Sequence, residues 1–380
     1  MRRRLATPGP TEVPQRLLLA GAKEIVHHRA PEMERINTDI ARRLPTLFKT
    51  EGAVYTIAAS GTGAMEASVA NCFAEGDEVL VVSNGYFGER FADIARAYGL
   101  VVHTVTAPWG SSVSVDAVAS AYREHRSIRG VLVVYSETSA GTVNDVQAIA
   151  SLFRETDVLV IVDAISGLLV HPLEMDAWGL DVVLAASHKG FMLPPGLAFI
   201  AVSDKAHTAA DRGSGRAYYW SFDRLRRFHP MSSSSPAVSL LYGLQESLEI
   251  IDSEGLPVVQ RRHARVARGV REALRALGFS LKVQAPDVPS NVITIAEPPE
   301  PTEAPQLIKV LSEEYGVTVT GGQADWKGEV VRFGHIGSVD EVECYSIIGA
   351  VELALASVGH PVEPGAGVGA LTRSFTREEN

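Results

Sequence analysis

The feature that most constrains the fold is a regular alternation of short apolar, β-branched runs with stretches of helical pattern. We predict strands from these runs at residues 78–83, 101–105, 130–135, 158–163, 182–186 and 197–202. Helices are predicted at residues 64–74, 88–98, 115–123 and 146–154. Several runs are apolar throughout, as expected for strands covered by helices on both faces. The alternation predicts an α/β layered domain with a mainly parallel central sheet and right-handed crossovers.

A smaller unit is predicted in the last third of the chain, after a helix at 238–251 and a Gly-Pro break at 254–257. The predicted elements that follow are helices at 261–277, 305–315 and 339–356 and strands at 290–295, 317–320 and 330–333. This mixture predicts a smaller C-terminal α+β domain. We divide the chain into an N-terminal arm (1–20), a large domain (21–257), a small domain (258–358) and a tail (359–380). The tail is rich in Gly and Pro, so we expect it to be poorly ordered.

Charge and cysteine content exclude several classes of protein. The chain has 380 residues and a net charge of -10, which argues against a nucleic-acid partner. Its two cysteines, Cys72 and Cys344, lie far apart in apolar stretches, so neither a disulfide framework nor a metal cluster is predicted. No apolar run approaches the roughly 18 residues of a membrane span. We therefore expect a cytoplasmic protein with no metal and no membrane partner.

Lys189 is the first candidate for chemistry. It follows the predicted strand 182–186, within Ser187-His-Lys-Gly190, and so lies at the carboxyl end of a strand, where open α/β sheets bind ligands. Its neighbours are small or apolar, and a lysine is rarely buried without a task. A desolvated amine loses its proton more easily and can form a Schiff base. The alternative is an ordinary surface lysine in a loop.

Asp163 closes the apolar predicted strand 158–163, and small residues follow it. A carboxylate at this position can reach a ligand at the same edge of the sheet as Lys189. Enzymes that use pyridoxal phosphate (PLP) commonly pair an acid with the pyridine nitrogen, so that the protonated ring accepts electrons. The alternative is a turn or a helix N-cap, which is common after strands.

Two further patterns suit anions. Ser60-Gly-Thr-Gly63 precedes a predicted helix, and small residues there present backbone N–H groups to a phosphate. A generic helix cap is the alternative, since neither a P-loop nor a G-x-G-x-x-G pattern is present. Arg332, on a predicted strand of the small domain, suits a carboxylate through its planar guanidinium. A structural ion pair is the alternative for Arg332.

These residues resemble the class V aminotransferase family of fold type I PLP enzymes, in its alanine–glyoxylate and serine–pyruvate branch. Any one motif is weak, but the resemblance runs in a single order along the chain. The motifs are Thr7-Pro-Gly-Pro-Thr11, Ser60-Gly-Thr-Gly63, Ser83-Asn-Gly-Tyr-Phe-Gly88, Ser136-Glu-Thr-Ser-Ala-Gly141, Val162-Asp-Ala-Ile-Ser-Gly167, Ser187-His-Lys-Gly190, and Gly321-Gly-Gln323 leading to Arg332-Phe-Gly-His-Ile-Gly337.

The resemblance implies a role for each matching residue. Lys189 holds PLP as a Schiff base and shuttles the proton, and Asp163 pairs with the pyridine nitrogen. Arg332 binds the substrate carboxylate, and the arm residue Gly9 lines the same pocket. The remaining implied cofactor contacts are Ser60, Gly61, Thr62 and His188 at the phosphate, Thr138 near the ring hydroxyl, Phe87 stacked on the ring, and Ile165 beside it.

The resemblance also implies a homodimer whose active sites are completed across the interface. The segment 227–236 matches the region that reaches the partner's phosphate, and Ser234 can supply a hydroxyl there. Met231 departs from the family pattern, in which a Tyr often stands at that position. A thioether cannot hydrogen-bond as a phenol does, so this departure predicts looser phosphate binding or a rearranged serine-rich loop.

The implied activity is ping-pong transamination between a small amino acid, such as alanine or serine, and a 2-oxo acid, such as glyoxylate or pyruvate. A cysteine desulfurase needs a catalytic cysteine on a mobile loop, whereas both cysteines here stand in apolar helical stretches. A PLP-dependent lyase, a biosynthetic aminotransferase acting on an unusual amino acid, and a non-catalytic PLP-binding relative remain as alternatives. The sequence does not identify the side chain of the amino donor.

Overall fold

A computed structural model describes residues 3–212 and 216–377 of the chain. The strands are β1 (Arg4–Leu5), β2 (Val54–Ala59), β3 (Glu78–Ser83), β4 (Val101–Thr106), β5 (Gly130–Val134), β6 (Ser136–Glu137), β7 (Thr142–Val143), β8 (Leu159–Asp163), β9 (Val182–Ala186), β10 (Gly196–Val202), β11 (Ser280–Leu281), β12 (Ile293–Glu297), β13 (Val317–Thr318), β14 (Thr320–Gly321) and β15 (Val331–Gly334). The helices are α1 (Gln15–Gly21), α2 (Pro31–Phe48), α3 (Gly61–Cys72), α4 (Tyr86–Ala97), α5 (Val115–Glu124), α6 (Val146–Ser151), α7 (Met175–Trp178), α8 (Asp204–Arg212), α9 (Phe222–Phe228), α10 (Val238–Glu254), α11 (Leu256–Ala276), α12 (Ala304–Glu313), α13 (Glu341–Ser357) and α14 (Ala366–Thr376), with a 3-10 turn at Ala324–Trp326.

The large sheet has seven strands in the order β2-β10-β9-β8-β5-β3-β4. Strands β9, β8, β5, β3 and β4 pair in parallel, which confirms the predicted mainly parallel sheet. Strand β10 is antiparallel to both of its neighbours, because the segment 187–195 that joins it to β9 is too short for a crossover helix. That short connection carries Lys189.

Helices cover both faces of this sheet, as the wholly apolar strands predict. Every residue of β5, β8 and β9 is buried. Side chains alternate between the faces, so Val131 and Val133 of β5 pack into one core and Leu132 packs into the other. Because both faces are filled, the sheet leaves only the ends of its strands for a ligand.

The small domain has a four-stranded antiparallel sheet in the order β11-β12-β15-β14, packed against α11 and α12, and α13 packs on these two helices. It has its own core, which includes Leu307, Phe333 and Val351. Helix α11 belongs to both domains, since Val259 packs into the large core and Val266 into the small one. The N-terminal strand β1 pairs with β13, which ties the arm to the small domain.

The prediction of a poorly ordered tail is wrong for half of its length. Residues 366–376 form α14, which packs on α11 and α13 with Leu371 and Phe375 buried. Gly269 of α11 permits the close approach, because a Cβ there would lie 2.6 Å from the Phe375 ring. Both prolines of the tail precede the helix, and the two apolar residues four apart give it one packing face. Residues 378–380 lie outside the described chain.

The sequence prediction also missed β2 at the edge of the large sheet and the amphipathic helix α2. Among the described residues, no helix is long and apolar enough to cross a membrane.

Candidate active site

The structure brings most of the predicted site residues to one cavity at the carboxyl edge of the large sheet. Asp163 is the last residue of β8, and Lys189 lies in the turn after the neighbouring strand β9. The cavity is lined by Gly9, Ser60, Gly61, Thr62, Met65, Tyr86, Phe87, Arg90, Val134, Ser136, Asp163, Ile165, Ser166, His188, Lys189 and Gln323. This edge is where the ends of parallel strands leave room for a ligand.

Lys189 is buried, with 7% of its surface exposed, and its Nζ donates a hydrogen bond to the carbonyl oxygen of Pro8 at 2.8 Å. Burial lowers the pKa of this amine to about 8; the Asp163 carboxylate opposes the shift, whereas the Arg332 and Arg90 guanidiniums add to it. About a tenth of the amine is therefore uncharged at pH 7, far more than for an ordinary lysine, and the uncharged form is what a nucleophile or a base requires.

Gly9 brings the N-terminal arm against this lysine. Its φ of +146° favours glycine, and a Cβ there would lie 2.5 Å from the Lys189 Nζ. Any larger residue would displace the amine from the cavity. Gly9 therefore lines the pocket through its backbone.

Asp163 is the acid of the cavity. Burial raises its pKa to about 7, while the Ile165 N–H, which donates to Oδ1 at 2.9 Å, opposes the rise. The buried Glu137 raises the pKa further, and Lys189 and Arg90 lower it. A buried carboxyl with so few donors gains free energy by facing a protonated nitrogen of a ligand.

The start of helix α3 fits a phosphate. Ser60 is the N-cap, and its side chain makes no capping hydrogen bond. The first hydrogen bond at this end runs from the Ala64 N–H to the Ser60 carbonyl, so the earlier N–H groups have no partner inside the helix. A Cβ on Gly61 would lie 2.5 Å from the Ile165 side chain, so glycine is required here.

His188 supplies a second observation that fits a phosphate. Its Nδ1 is buried and has no hydrogen-bond partner, although an unpaired buried polar atom is costly. Burial, followed by the charge of Lys189, lowers the pKa of the ring to about 4. The ring is therefore neutral and keeps hydrogen-bonding capacity for a ligand in the cavity, such as a phosphate.

Arg90 is a site residue that the sequence prediction missed. Its Nη1 donates to the Thr62 hydroxyl at 3.0 Å, and its guanidinium carbon lies 5.0 Å from the ring centroids of both Tyr86 and Phe87. It therefore adds positive charge to the wall that carries the predicted ring-stacking Phe87. Its position one helical turn after Tyr86, just beyond the motif 83–88, is the signal that could have identified it.

Glu137 was also missed, although it stands in the motif 136–141. It is fully buried, and its Oε2 accepts hydrogen bonds from the Phe87 and Gly88 N–H groups at 3.0 and 3.1 Å. Burial raises its pKa, and these bonds oppose the rise. The carboxyl therefore binds the start of α4 and positions Phe87. The next residue, Thr138, is buried and is not one of the residues that line the cavity, so its predicted contact near the ring hydroxyl stays a prediction.

Arg332 lies on β15 and is bound by neutral oxygens. Its Nε donates to the Gly321 carbonyl at 2.7 Å, and its Nη1 donates to Gln323 Oε1 at 3.0 Å and to the Thr138 carbonyl at 3.3 Å. Burial lowers its pKa, and the charge of Glu137 opposes the change. Because these partners are neutral, the guanidinium retains its charge for the carboxylate of a ligand beside Gln323.

Ser234 is not brought to the Lys189 cavity within the chain. It lines a separate groove with Tyr55, Tyr219 and Met231, and the Met231 sulfur accepts a long contact of 3.8 Å from Asn37 Nδ2. Its predicted role belongs to a second subunit and stays a prediction.

A buried lysine amine, an acid on the next strand and an anion site at a helix start, set at the carboxyl edge of this sheet, define a PLP enzyme of fold type I. The family model of class V aminotransferases matches residues 7–331. The chain belongs to the class V aminotransferases.

Relatives and solved structures agree with that membership. The soluble hydrogenase small subunit of Synechococcus sp. is 36% identical over 97% of both chains. The serine–glyoxylate aminotransferase of Methylorubrum extorquens is 32% identical over 99% of this chain and 96% of its own. The solved alanine–glyoxylate aminotransferase of Nostoc sp. has a TM-score of 0.89 and is 29% identical over 93% of this chain and 96% of that one.

The chain is thus an aminotransferase, and its cofactor is PLP, as predicted. Its two cysteines, Cys72 in α3 and Cys344 in α13, are buried, and burial raises the pKa of both thiols. Neither thiol is placed on a mobile loop, where a desulfurase needs its nucleophile. Two separated cysteines also give no thiolate set for an iron–sulfur cluster, which is commonly held by four.

Proposed function

We propose that this enzyme transfers the amino group of a small amino acid, such as alanine or serine, to a 2-oxo acid, such as glyoxylate or pyruvate, in a ping-pong cycle. One observation carries the proposal: Lys189 and Asp163 share a cavity whose wall includes Gln323, the partner of Arg332. Serine–glyoxylate and L-aspartate–glyoxylate aminotransferases, each 32% identical to this chain, support the substrate class.

The described residues fit the cofactor as follows. Ser60, the first N–H groups of α3 and the unpaired His188 nitrogen would hold the phosphate. Asp163 would hold the pyridine nitrogen, and Phe87 would cover the ring. Arg90, through Thr62, would add positive charge on the phosphate side. Bound PLP supplies an electron sink for the negative charge that develops on the substrate α-carbon.

The protein residues would then divide the work of proton transfer. Lys189 Nζ, with its lowered pKa, would remove the proton from the substrate α-carbon and return it to the cofactor carbon C4′. The Pro8 carbonyl holds that amine on the cavity side. Asp163, charged opposite a pyridinium nitrogen, would keep the ring protonated, and Arg332 would fix the α-carboxylate.

Product analysis tests this proposal. The PLP-loaded enzyme is incubated with ¹⁵N-labelled serine or alanine and unlabelled glyoxylate, and the label is followed by mass spectrometry. We expect labelled glycine and an equimolar keto acid. Labelled ammonia or released carbon dioxide without labelled glycine would show a lyase instead. If every small amino acid is inert while a larger donor transfers its nitrogen, the enzyme is an aminotransferase but the proposed substrate class is wrong.

We further propose that the enzyme is a homodimer located in the cytoplasm. The groove that contains Ser234 lies beside the exposed aromatic residues Tyr218, Tyr219 and Phe228, which a second copy would cover. Two free, buried cysteines fit a reducing compartment. Light scattering at micromolar concentration should give twice the chain mass of 40.7 kDa. A monomer that is fully active would contradict a shared active site.

A further inference from the structure

A cluster of three potential metal ligands lies at the opposite edge of the large sheet from Lys189. Glu78 is the first residue of β3, His103 lies on the edge strand β4 in register with Leu80, and His125 follows the last turn of α5. One carboxylate oxygen and one nitrogen from each ring all lie within 4.8 Å of one another. Elsewhere in residues 3–212 and 216–377, no other three His, Cys, Asp or Glu side chains converge in this way.

The three side chains already contact one another. His103 Nε2 lies 2.7 Å from Glu78 Oε2, and the two imidazole rings are stacked with centroids 3.6 Å apart and an interplanar angle of 19°. The Ser127 hydroxyl donates to the other Glu78 oxygen at 2.6 Å, which orients the carboxylate. All three ligands are partly buried, so the long side chains lose little conformational freedom on binding an ion.

This ligand set suits one class of cation. Imidazole nitrogen favours zinc, copper and nickel over magnesium or calcium, and two His with one Glu are the protein ligands of several catalytic zinc sites. Tetrahedral bonds of about 2.0–2.1 Å separate ligand atoms by roughly 3.4 Å. The 2.7 Å contact of His103 with Glu78 must therefore lengthen, and rotation of the Glu78 side chain, which is 30% exposed, can provide that movement. The two stacked rings must also rotate apart, because the nitrogen lone pairs of nearly parallel rings do not converge on one ion.

Hydrogen bonding prepares the cluster for a cation. The Ser127 hydroxyl, followed by the His103 ring, lowers the pKa of the Glu78 carboxyl, so the carboxylate is charged at neutral pH. A divalent ion bound by His103 and Glu78 would replace the hydrogen bond between them.

We propose that Glu78, His103 and His125 form a binding site for a divalent transition-metal ion of the zinc class, with water at the remaining position. The ion would link the edge strand β4 to β3 and to the end of α5. Because it lies at the amino end of β3, it would take no part in amino transfer. Because the ion would bind the folded chain and not the unfolded one, it would stabilise this edge of the sheet.

Zinc binding to the full-length, PLP-loaded enzyme tests the proposal. The chelator-treated protein is dialysed against zinc at defined free concentrations, bound metal is measured by mass spectrometry, and the unfolding temperature is recorded with and without zinc. We expect one saturable ion per chain at micromolar free zinc and an unfolding temperature that rises with zinc concentration. His103→Asn and His125→Asn should each weaken binding by at least about 100-fold, more than removal of an outer-shell partner does.

His27→Asn is the matched control, because His27 is an exposed histidine outside the cluster. It should bind zinc as the unmodified chain does. The cofactor absorbance and the zinc-free unfolding temperature of each variant show that it is folded. Zinc that binds with unchanged affinity to the His103→Asn/His125→Asn double variant, or absence of saturable binding to the unmodified chain, would overturn the proposal.

Discussion

Burial of ionisable side chains has different consequences in two regions of this molecule. Hydrogen-bonding capacity is left unused in one region and is filled in the other. One is the active-site cavity around Lys189 and Asp163. The other, which we call the junction cluster, consists of His171, His263 and His335 with Arg271 beside them, between the large and small domains. Burial lowers the pKa of His171 to about 4 and those of His263 and His335 to about 3.

The junction histidines are held by hydrogen bonds. His263 Nδ1 lies 2.8 Å from the Val259 carbonyl, and its Nε2 accepts from the Gly337 N–H at 3.1 Å. Both nitrogens of His335 also have partners, and His171 Nε2 accepts from a backbone N–H at 3.2 Å. A carbonyl partner requires a donor, so each carbonyl fixes the proton on the nitrogen that faces it.

The active-site cavity is different because hydrogen-bonding capacity is left unused there. His188 Nδ1 is buried without a partner, the Lys189 amine makes one recorded hydrogen bond, and Arg332 meets neutral oxygens. A shifted pKa is therefore a poor indicator of function in this fold, since both regions show it. Between these two regions, the difference is unfilled hydrogen-bonding capacity beside the shifted group. His207, outside the cavity, also combines a lowered pKa with an unpartnered Nδ1, so the criterion needs the cavity as well.

The largest expected effect separates activity from stability at Lys189. Lys189→Ala should lower kcat by at least about 10⁴-fold, because we propose that this amine both anchors the cofactor and carries the proton. Its unfolding midpoint without cofactor should be unchanged or raised, since a desolvated amine is removed. Lys205→Ala is the matched control: that amine binds Asp181 and the Val158 carbonyl. The control should lose stability and keep its activity; the reverse pattern would contradict this separation of activity from stability.

Asp163→Asn should lower kcat by about 10²–10³-fold, the range found when one preorganised electrostatic contact is removed. Asparagine keeps the size of the side chain and can still accept from the Ile165 N–H. It cannot balance the charge of a pyridinium nitrogen, so the electron sink weakens. Steady-state kinetics at saturating PLP measure the effect. A variant within tenfold of the unmodified enzyme would remove Asp163 from the catalytic set.

Arg332→Lys should lower kcat/KM by about 10–100-fold, mainly through KM, because lysine keeps the charge but loses the planar fork. Arg271→Lys in the junction cluster is the comparison variant. Arg271 Nη1 donates to the Ser290 carbonyl at 3.1 Å. Loss of this hydrogen bond in Arg271→Lys should lower the unfolding midpoint and leave KM unchanged. An unchanged KM in Arg332→Lys would mean that this guanidinium is structural, as the junction arginine is.

The sequence predicted the central sheet well because its strands are buried on both faces and therefore wholly apolar. Strands β3 and β9 have the predicted ends. Strand β2 was missed, although it is more apolar and more buried than β4, the edge strand that was predicted. Helix α14 was missed because seven residues rich in Gly and Pro precede it. These residues dominate the composition of the tail and hide the helical pattern that follows them.

The candidate site was predictable where a residue ends a strand or starts a helix, as Asp163, Lys189 and Ser60 do. Arg90 and Glu137 stand within or next to quoted motifs, but their contacts join α4 to β6 and α3, which are distant in sequence. The same holds for Glu78, His103 and His125, whose convergence depends on strand register. Local patterns identify the ends of elements; tertiary pairing selects which of those ends share a site.

Acid should destabilise the junction cluster before it protonates the folded rings. The unfolded histidines titrate near 6.5, whereas the folded rings titrate at about 3 to 4. The unfolded chain therefore binds more protons as pH falls from 6.5 toward 4, and stability falls with pH in that window. Each ring should contribute a loss of about 2 kcal/mol between pH 7 and pH 5, and the loss should level off below the folded pKa.

His263→Gln tests that assignment through the pH dependence and not through stability at a single pH. Protonation of His263 Nε2 would set an N–H against the Gly337 N–H, whereas a glutamine oxygen can accept that bond at every pH. The free energy of unfolding of the cofactor-free chain, measured with urea at pH 7 and pH 5, should fall less in the variant. The slope of this free energy against pH should decrease by the amount that one proton contributes. His27→Gln, an exposed position, should leave the slope unchanged. If both variants keep the original slope, the loss of stability in acid comes from other groups and not from His263.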